Sequence, residues 1–119
     1  MARILLAEDD DATRELIARA LANAGHEVTS VADGAEALPR FVGKPFDLVL
    51  TDIVMPAMDG IELANHAGRE QPGLGIILMT GYQDVAGDAE PMLPDGARIL
   101  VKPFRLDDLF TAIDKLLAA

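Results

Sequence analysis

The chain has 119 residues, half of them hydrophobic and a quarter charged, a size and composition that fit one globular domain. Twenty acidic residues against ten basic ones give a formal net charge of -10, which opposes direct binding to nucleic acid or anionic lipid. The sequence has no cysteine and no apolar run near the roughly 20 residues of a membrane span, and we expect no leader peptide. We therefore expect one cytoplasmic domain over residues 1–119, with no membrane insertion and no direct DNA binding.

Five apolar segments rich in Ile, Val and Leu have the length of β-strands. In chain order the predicted strands are Arg3–Ala7, Glu27–Val31 and residues 47–51, 75–79 and 97–101. Two of them are continuously apolar over four residues and two more over three, which is typical of strands covered by helices on both faces. Because segments of helical periodicity alternate with the strands, the pattern predicts an α/β fold, a doubly wound open sheet of five parallel strands.

Breaks in the pattern affect two of the predicted helices. The second segment (residues 34–42) is interrupted by Pro39, and the fourth (residues 83–90) contains Gly87 and is followed by prolines. Proline and glycine both disfavour a helix interior, so we expect the fourth segment to be short, irregular or mobile. Asp59, three residues before Glu62, has the form of a capping box that starts the third helix.

Chemically active residues follow the predicted strands, where an open doubly wound sheet binds its ligands. They are Glu8 and Asp9 after the first strand, Asp52 after the third, Thr80 after the fourth and Lys102 after the fifth. Each has a simpler interpretation on its own: the acidic tetrad of residues 8–11 caps a helix, Asp52 starts a turn, Thr80 caps a helix and Lys102 is a solvated lysine.

Together these residues favour phosphoryl chemistry. Three carboxylates at neighbouring strand ends are an all-oxygen site of the kind Mg²⁺ prefers. Lys102 and Thr80 can bind the oxygens of a phosphoryl group, and Gly81 leaves room for it. We therefore predict that Asp52, already ionised and needing no general base, is the nucleophile that forms an aspartyl phosphate.

Four segments, ILLAEDD, DLVLTDIVMPAMDG, LMTG and VKPF, resemble in order and spacing the receiver domain of two-component response regulators. The resemblance implies a flavodoxin-like fold and phosphorylation of Asp52 by a histidine kinase or histidine phosphotransfer protein. It implies Mg²⁺ bound by Glu8, Asp9, Asp52 and the backbone carbonyl of Val54. Such a domain is a phosphoacceptor with self-catalysed phosphotransfer and autodephosphorylation, and we expect no enzyme activity beyond that.

The resemblance also assigns residues to output. Thr80 is the switch hydroxyl, Lys102 is the phosphoryl partner, and the bond from Lys102 to Pro103 is expected to be cis. The family usually has an aromatic residue where this chain has Ile99, so the coupling from Thr80 is expected to differ. Tyr82 is a candidate to replace the missing aromatic residue in this coupling. The equally simple interpretation is that Tyr82 is a tyrosine in a surface loop with no switch role.

The chain resembles in particular the CpdR subfamily, through TDIVMPAMDGIELA and the ending KLLAA. That resemblance implies control of substrate delivery to the ClpXP protease, with the unphosphorylated form engaging ClpX. Residues 118–119 resemble C-termini that ClpX reads, although a frayed helix end is the simpler interpretation. We expect no output domain, so that the domain surface itself acts through phosphorylation-dependent protein–protein interaction.

Three other functions stay open as alternatives. The first is a phosphate shuttle or sink, or a CheY-like regulator of another target. The second is an aspartate-nucleophile phosphatase, which needs an acid two residues after the nucleophile, where this chain has Val54. The third is a receiver-like protein that binds partners without phosphorylation, which would not need the complete set of metal and phosphoryl residues.

Overall fold

The computed structural model describes residues 2–55, 58–81, 87, 90–94 and 96–118. One sheet of five strands is its centre, in the order β2-β1-β3-β4-β5. All four neighbouring pairs are parallel, which confirms the predicted doubly wound fold. The strands are β1 (Arg3–Ala7), β2 (Glu27–Val31), β3 (Leu48–Asp52), β4 (Gly75–Thr80) and β5 (Arg98–Val101).

In the part of the chain that the structure describes, four helices connect and cover these strands. They are α1 (Asp11–Asn23), α2 (Gly34–Ala37), α3 (Gly60–Glu70) and α4 (Leu106–Ala118), with short 3₁₀ turns at Leu38–Phe41 and Glu90–Met92. The predicted second helix was too long, because the α-helix ends at Ala37 and a 3₁₀ turn takes over around Pro39, which has no N–H to donate. The predicted fourth helix (residues 83–90) lies mostly outside the described residues.

The core has two layers, one on each face of the sheet, as continuously apolar strands require. Alternate strand residues point to opposite faces, so that α1 and α4 cover one face while α2 and α3 cover the other. The first layer includes Ile4, Leu6, Leu50, Ile77, Leu21 and Ile113, and the second includes Leu5, Val49, Leu78, Leu63 and Ala67. Among the described residues, no helix has the length and apolar run needed to cross a bilayer.

Two aspartates fix where the helices begin, as predicted. The Asp10 side chain accepts a hydrogen bond from the backbone N–H of Thr13 at 2.8 Å, and Asp59 accepts one from the backbone N–H of Glu62 at 2.9 Å. Each N-cap satisfies a donor that the first helical turn leaves unpaired. Asp10 is therefore occupied at the start of α1, while Glu8 and Asp9 are left for other chemistry.

Candidate functional site

The strand order reverses between β1 and β3, and such a reversal opens a crevice at the carboxyl ends of the strands. Glu8 and Asp9 follow β1 on one side of this crevice, and Asp52 is the last residue of β3 on the other. Glu8 and Asp52 are almost completely buried, with 1% and 4% of their surfaces exposed. The fold therefore places two carboxylates side by side in a region that water barely reaches.

Lys102 lies between these two carboxylates. Its Nζ donates to Oε1 of Glu8 at 2.9 Å and is 2.7 Å from Oδ1 of Asp52. The backbone position of Lys102 is fixed because its N–H donates to the carbonyl of Thr80 at 2.6 Å. This bond continues the pairing of β4 and β5 past the last residue of β5. One cation thus neutralises only part of the charge of the buried acids.

The pKa values of the three groups show this incomplete compensation. Burial, then the hydrogen bond and charge of Glu8, raise the pKa of Asp52 to about 8, although Lys102 acts in the opposite direction. Burial alone would raise the pKa of Glu8, but hydrogen bonds with Asp52 and Lys102 hold it below its usual value. Burial would lower the pKa of Lys102, and its bonds to Asp52 and Glu8 raise it instead.

A pKa of about 8 favours a proton on Asp52 near neutral pH, even with Lys102 beside it. This raised pKa runs against the expectation that Asp52 is ionised without assistance, whereas its role as the phosphoacceptor stays a prediction. The sequence could not reveal this, because the shift depends on how far Glu8 and Asp52 are buried and how close their oxygens lie.

A metal ion would fit this cluster. Carboxylate oxygens of Glu8, Asp9 and Asp52 all lie within 4.8 Å of one another. Oxygen donors with surplus negative charge suit a hard divalent cation, and added positive charge would relieve the repulsion that raises the pKa of Asp52. Asp9 is exposed at the mouth of the crevice, so that an ion can reach the cluster from solvent.

A cavity of about 230 Å³ opens over the cluster. Besides the acids and Lys102, its lining includes Val54, Thr80 and Gly81. Thr80 is buried at the end of β4, and a side-chain carbon added at Gly81 would meet no atom within 4 Å. A larger recess of about 520 Å³ lies between β5 and α4, but the acidic cluster is not part of it, so chemistry and not size marks the site.

The remaining predicted residues lie in different places. Ile99 is on β5, partly buried against the layer that contains Ile53 and Leu78, and the bond between Lys102 and Pro103 is cis, as predicted. Tyr82 and the last residue, Ala119, lie outside the described residues. The roles predicted for these residues, and for the carbonyl of Val54, remain predictions.

The sequence patterns did not point to Gly60, a residue that supports the site. A side-chain carbon at Gly60, the first residue of α3, would lie 1.8 Å from the carbonyl oxygen of Asp52. The Gly60 N–H also donates to the carbonyl of Ile53 at 2.7 Å. Glycine is the residue that permits such a close backbone approach, and its place directly after the N-cap Asp59 was the available signal.

Comparison with known proteins now identifies the family. The family model for the response regulator receiver domain matches residues 4–114. The chain belongs to the response regulator receiver domain family. This confirms the resemblance found in the sequence, and the cluster of Glu8, Asp9 and Asp52 is consistent with a receiver-domain metal site.

Among relatives, this receiver is 49% identical over 119 residues to the response regulator receiver protein CpdR of Brucella abortus, which covers 100% of this chain and 99% of CpdR. It is 41% identical over 103 residues to the response regulator protein FleR of Pseudomonas aeruginosa, covering 87% of this chain but only 22% of FleR. A solved structure of TrrA from Thermotoga maritima, in complex with Mg²⁺ and BeF, superposes with a TM-score of 0.86 at 34% identity, over 98% of this receiver and 100% of TrrA.

Proposed function

We propose that this protein is a two-component response regulator that is phosphorylated on Asp52 with Mg²⁺ as cofactor. The observation that carries the proposal is the convergence of Asp52 with Lys102 and the acid pair in one crevice, with Nζ of Lys102 only 2.7 Å from Oδ1 of Asp52. A buried carboxylate with a lysine at its side and a cation site beneath it suits attack on a phosphoryl group.

In the proposed reaction an Oδ atom of Asp52 attacks the phosphorus of a phosphohistidine on a histidine kinase or phosphotransfer protein. A P–O bond forms, the P–N bond breaks, and the electron pair stays on the histidine nitrogen, which takes up a proton from solvent. The ammonium of Lys102 neutralises charge on a phosphoryl oxygen while Thr80 donates a hydrogen bond to another.

Glu8, Asp9 and Asp52 would hold Mg²⁺, and the bound ion would supply positive charge that keeps the carboxylates ionised and offsets the charge of the phosphoryl oxygens. Hydrolysis reverses the covalent step: water attacks the phosphorus, the P–O bond to Asp52 breaks, and phosphate and the free carboxylate are released. We propose no enzyme activity beyond this transfer and self-hydrolysis, because the chain itself is the acceptor.

Beryllium fluoride tests the site without a kinase. With Mg²⁺ present, ¹⁹F NMR of the wild-type protein is expected to show a bound fluoroberyllate signal, because the compound imitates a phosphoryl group on a carboxylate. Asp52→Asn keeps the size of the side chain but lacks the charged oxygen, and it is expected to show none. A bound signal of equal intensity in both proteins would contradict Asp52 as the acceptor.

For output, we propose phosphorylation-dependent protein–protein interaction of the CpdR type, in which the unphosphorylated form engages ClpX and controls substrate delivery to ClpXP. The near end-to-end match with CpdR supports this choice. Immobilised protein, with and without fluoroberyllate, is incubated with purified ClpX. Capture by the free form alone is expected, and capture by neither form would overturn the CpdR-type output.

A phosphate shuttle or sink, or a regulator of another target, is the second candidate, and the same immobilised protein distinguishes it. Capture of a histidine kinase or phosphotransfer protein, together with failure to capture ClpX, would favour the shuttle.

A further inference from the structure

We infer that Arg14 is a positioning residue for the cation site, because it holds the turn that carries the acid pair. Arg14 lies on α1, one turn beyond the helix start, and has no part in the proposed phosphoryl chemistry. The inference rests on the proposed cation binding by Glu8, Asp9 and Asp52 and adds the residue that determines how well two of them are placed.

The first support is a hydrogen bond across the turn. Nη1 of Arg14 donates to the backbone carbonyl of Glu8 at 2.9 Å. Glu8 is the first residue after β1. In the described part of the chain, the hydrogen bond that its backbone carbonyl accepts comes from Arg14. The bond ties α1 directly to the backbone between the two acids, six residues earlier in the sequence.

The second support is that Arg14 makes two bonds with one planar group. Nη2 pairs with Oδ1 of Asp11 at 2.6 Å, so that the guanidinium is held at both ends. Only 22% of its side chain is exposed, in contrast to the 70% of Arg19 in the ordinary surface pair with Glu15 later in α1. The Asp11 side chain is 89% exposed, so the fixed partner is the backbone carbonyl of Glu8. A half-buried guanidinium bonded to this carbonyl is better pre-organised than an exposed ion pair, which adds little.

The third support is the accumulation of charge in the turn. Residues 8–11 are four consecutive acids, and the repulsion between them favours an open turn. Asp10 is held by its cap bond to Thr13, and Arg14 holds the two ends of the tetrad, Glu8 and Asp11. Without Arg14 the turn would relax outwards and move the carboxylate of Asp9 away from those of Glu8 and Asp52.

Positioning and simple electrostatics predict opposite signs for the loss of Arg14. Removing a positive charge near a cation site should strengthen cation binding if charge were the whole effect. If Arg14 positions the turn, its loss should weaken binding, by about tenfold for a residue that orients metal ligands. Cation affinity in the absence of any phosphodonor therefore separates the two.

The experiment measures Mg²⁺ affinity by isothermal titration calorimetry for the wild type, Arg14→Met, Arg14→Lys and Arg19→Met. Arg14→Met is expected to raise the Kd for Mg²⁺ about tenfold. Arg14→Lys keeps the charge but cannot bond both partners with one planar group, so it is also expected to bind more weakly. Arg19→Met makes the same charge change on the same helix and is expected to stay within about twofold of the wild type.

Amide hydrogen exchange of the cation-free proteins gives a second readout. Arg14→Met is expected to lose protection at residues 9–11 while β1 keeps its own, which separates a loosened turn from general unfolding. Mg²⁺ binding by Arg14→Met that equals or exceeds that of the wild type would overturn the positioning role. A wild type that does not bind Mg²⁺ would overturn the proposed cofactor, and the role of Arg14 with it.

Discussion

Replacement of Gly60 by alanine is a sharp test of how α3 supports the site. The new side-chain carbon would lie 1.8 Å from the carbonyl oxygen of Asp52 and 2.9 Å from Cα of Ile53. Both contacts are with backbone atoms, so that no side-chain rotation relieves them. Either the start of α3 or the end of β3 must move by more than about 1 Å, since packed interiors have no spare space.

The expected cost follows from this overlap. Overpacking of a close-packed interior costs about 1–3 kcal/mol and sometimes more, and Gly60 is in the severe range because the overlap is with the main chain. The higher helix propensity of alanine offsets less than about 1 kcal/mol of this cost, because the position is at a helix end. We expect Gly60→Ala to lower the free energy of unfolding by about 3 kcal/mol.

Gly68 provides a matched control within the same helix. A side-chain carbon there would lie 3.5 Å from Cγ of Pro94, an ordinary contact. Gly68→Ala should therefore be neutral or stabilise the protein by up to about 1 kcal/mol. Urea unfolding of both variants and the wild type gives the comparison, and equal stability of Gly60→Ala and Gly68→Ala would refute the proposed close approach.

Three further predictions concern the charges and the cap. Asp52→Asn removes the acid whose pKa rises from 3.8 to about 8; because the folded protein then binds a proton that the unfolded chain releases, wild-type stability falls as the pH rises between those values. In EDTA at pH 7 the variant should therefore be more stable than the wild type by about 2 kcal/mol, after allowance for solvent screening. At pH 4 the two proteins should differ little. Thermal unfolding that shows the same difference in stability at both pH values would contradict the raised pKa of Asp52. Lys102→Met leaves two buried acids without their cation and should cost roughly 1–3 kcal/mol in EDTA, with part regained in Mg²⁺; urea unfolding unchanged from wild type would exclude the buried ion pairs. Asp59→Ala removes the cap of α3 and should cost about 1 kcal/mol, whereas Asp59→Asn should cost less; equal loss in both variants would argue against the cap.

Much of the architecture could be predicted because its causes are local or periodic. Continuous apolar runs identified the parallel strands, and the bounds of β1 and β2 agree to the residue. The rule that ligands bind at strand ends predicts from the sequence that Glu8, Asp52 and Lys102 lie together. Their separations of 2.7–2.9 Å bear out that they are neighbours.

Other features depend on distances that a sequence does not contain. That Lys102 pairs with both acids at once, and that the pKa of Asp52 is raised to about 8, follow from burial and from separations of a few ångströms. The close approach of Gly60 to Asp52 depends on the angle at which α3 leaves its loop. The periodicity of the sequence also predicted too great a length for α2, because it does not distinguish an α-helix from a 3₁₀ turn near Pro39.

The two buried carboxylates and Lys102 are therefore already in place, but the positive charge of one lysine does not balance the negative charge of both acids. Glu8 and Asp52 are buried with one ammonium between them, and a further positive charge would allow both to ionise. This gives a physical reason for the proposed Mg²⁺ dependence: burial and Glu8 raise the pKa of Asp52 to about 8, and positive charge nearby lowers the pKa of a carboxyl group. We expect the pH at which half of the protein reacts with a phosphodonor to fall as Mg²⁺ is added.

The most direct test of the central claim is to detect the phosphoryl group itself. The protein is treated with acetyl phosphate and Mg²⁺, quenched in acid to slow hydrolysis, and measured by intact-mass and peptide mass spectrometry. The account predicts one phosphoryl adduct on Asp52 of the wild type, and no adduct in Asp52→Asn or in EDTA. A wild type that acquires no adduct, or an adduct that persists in Asp52→Asn, would contradict it.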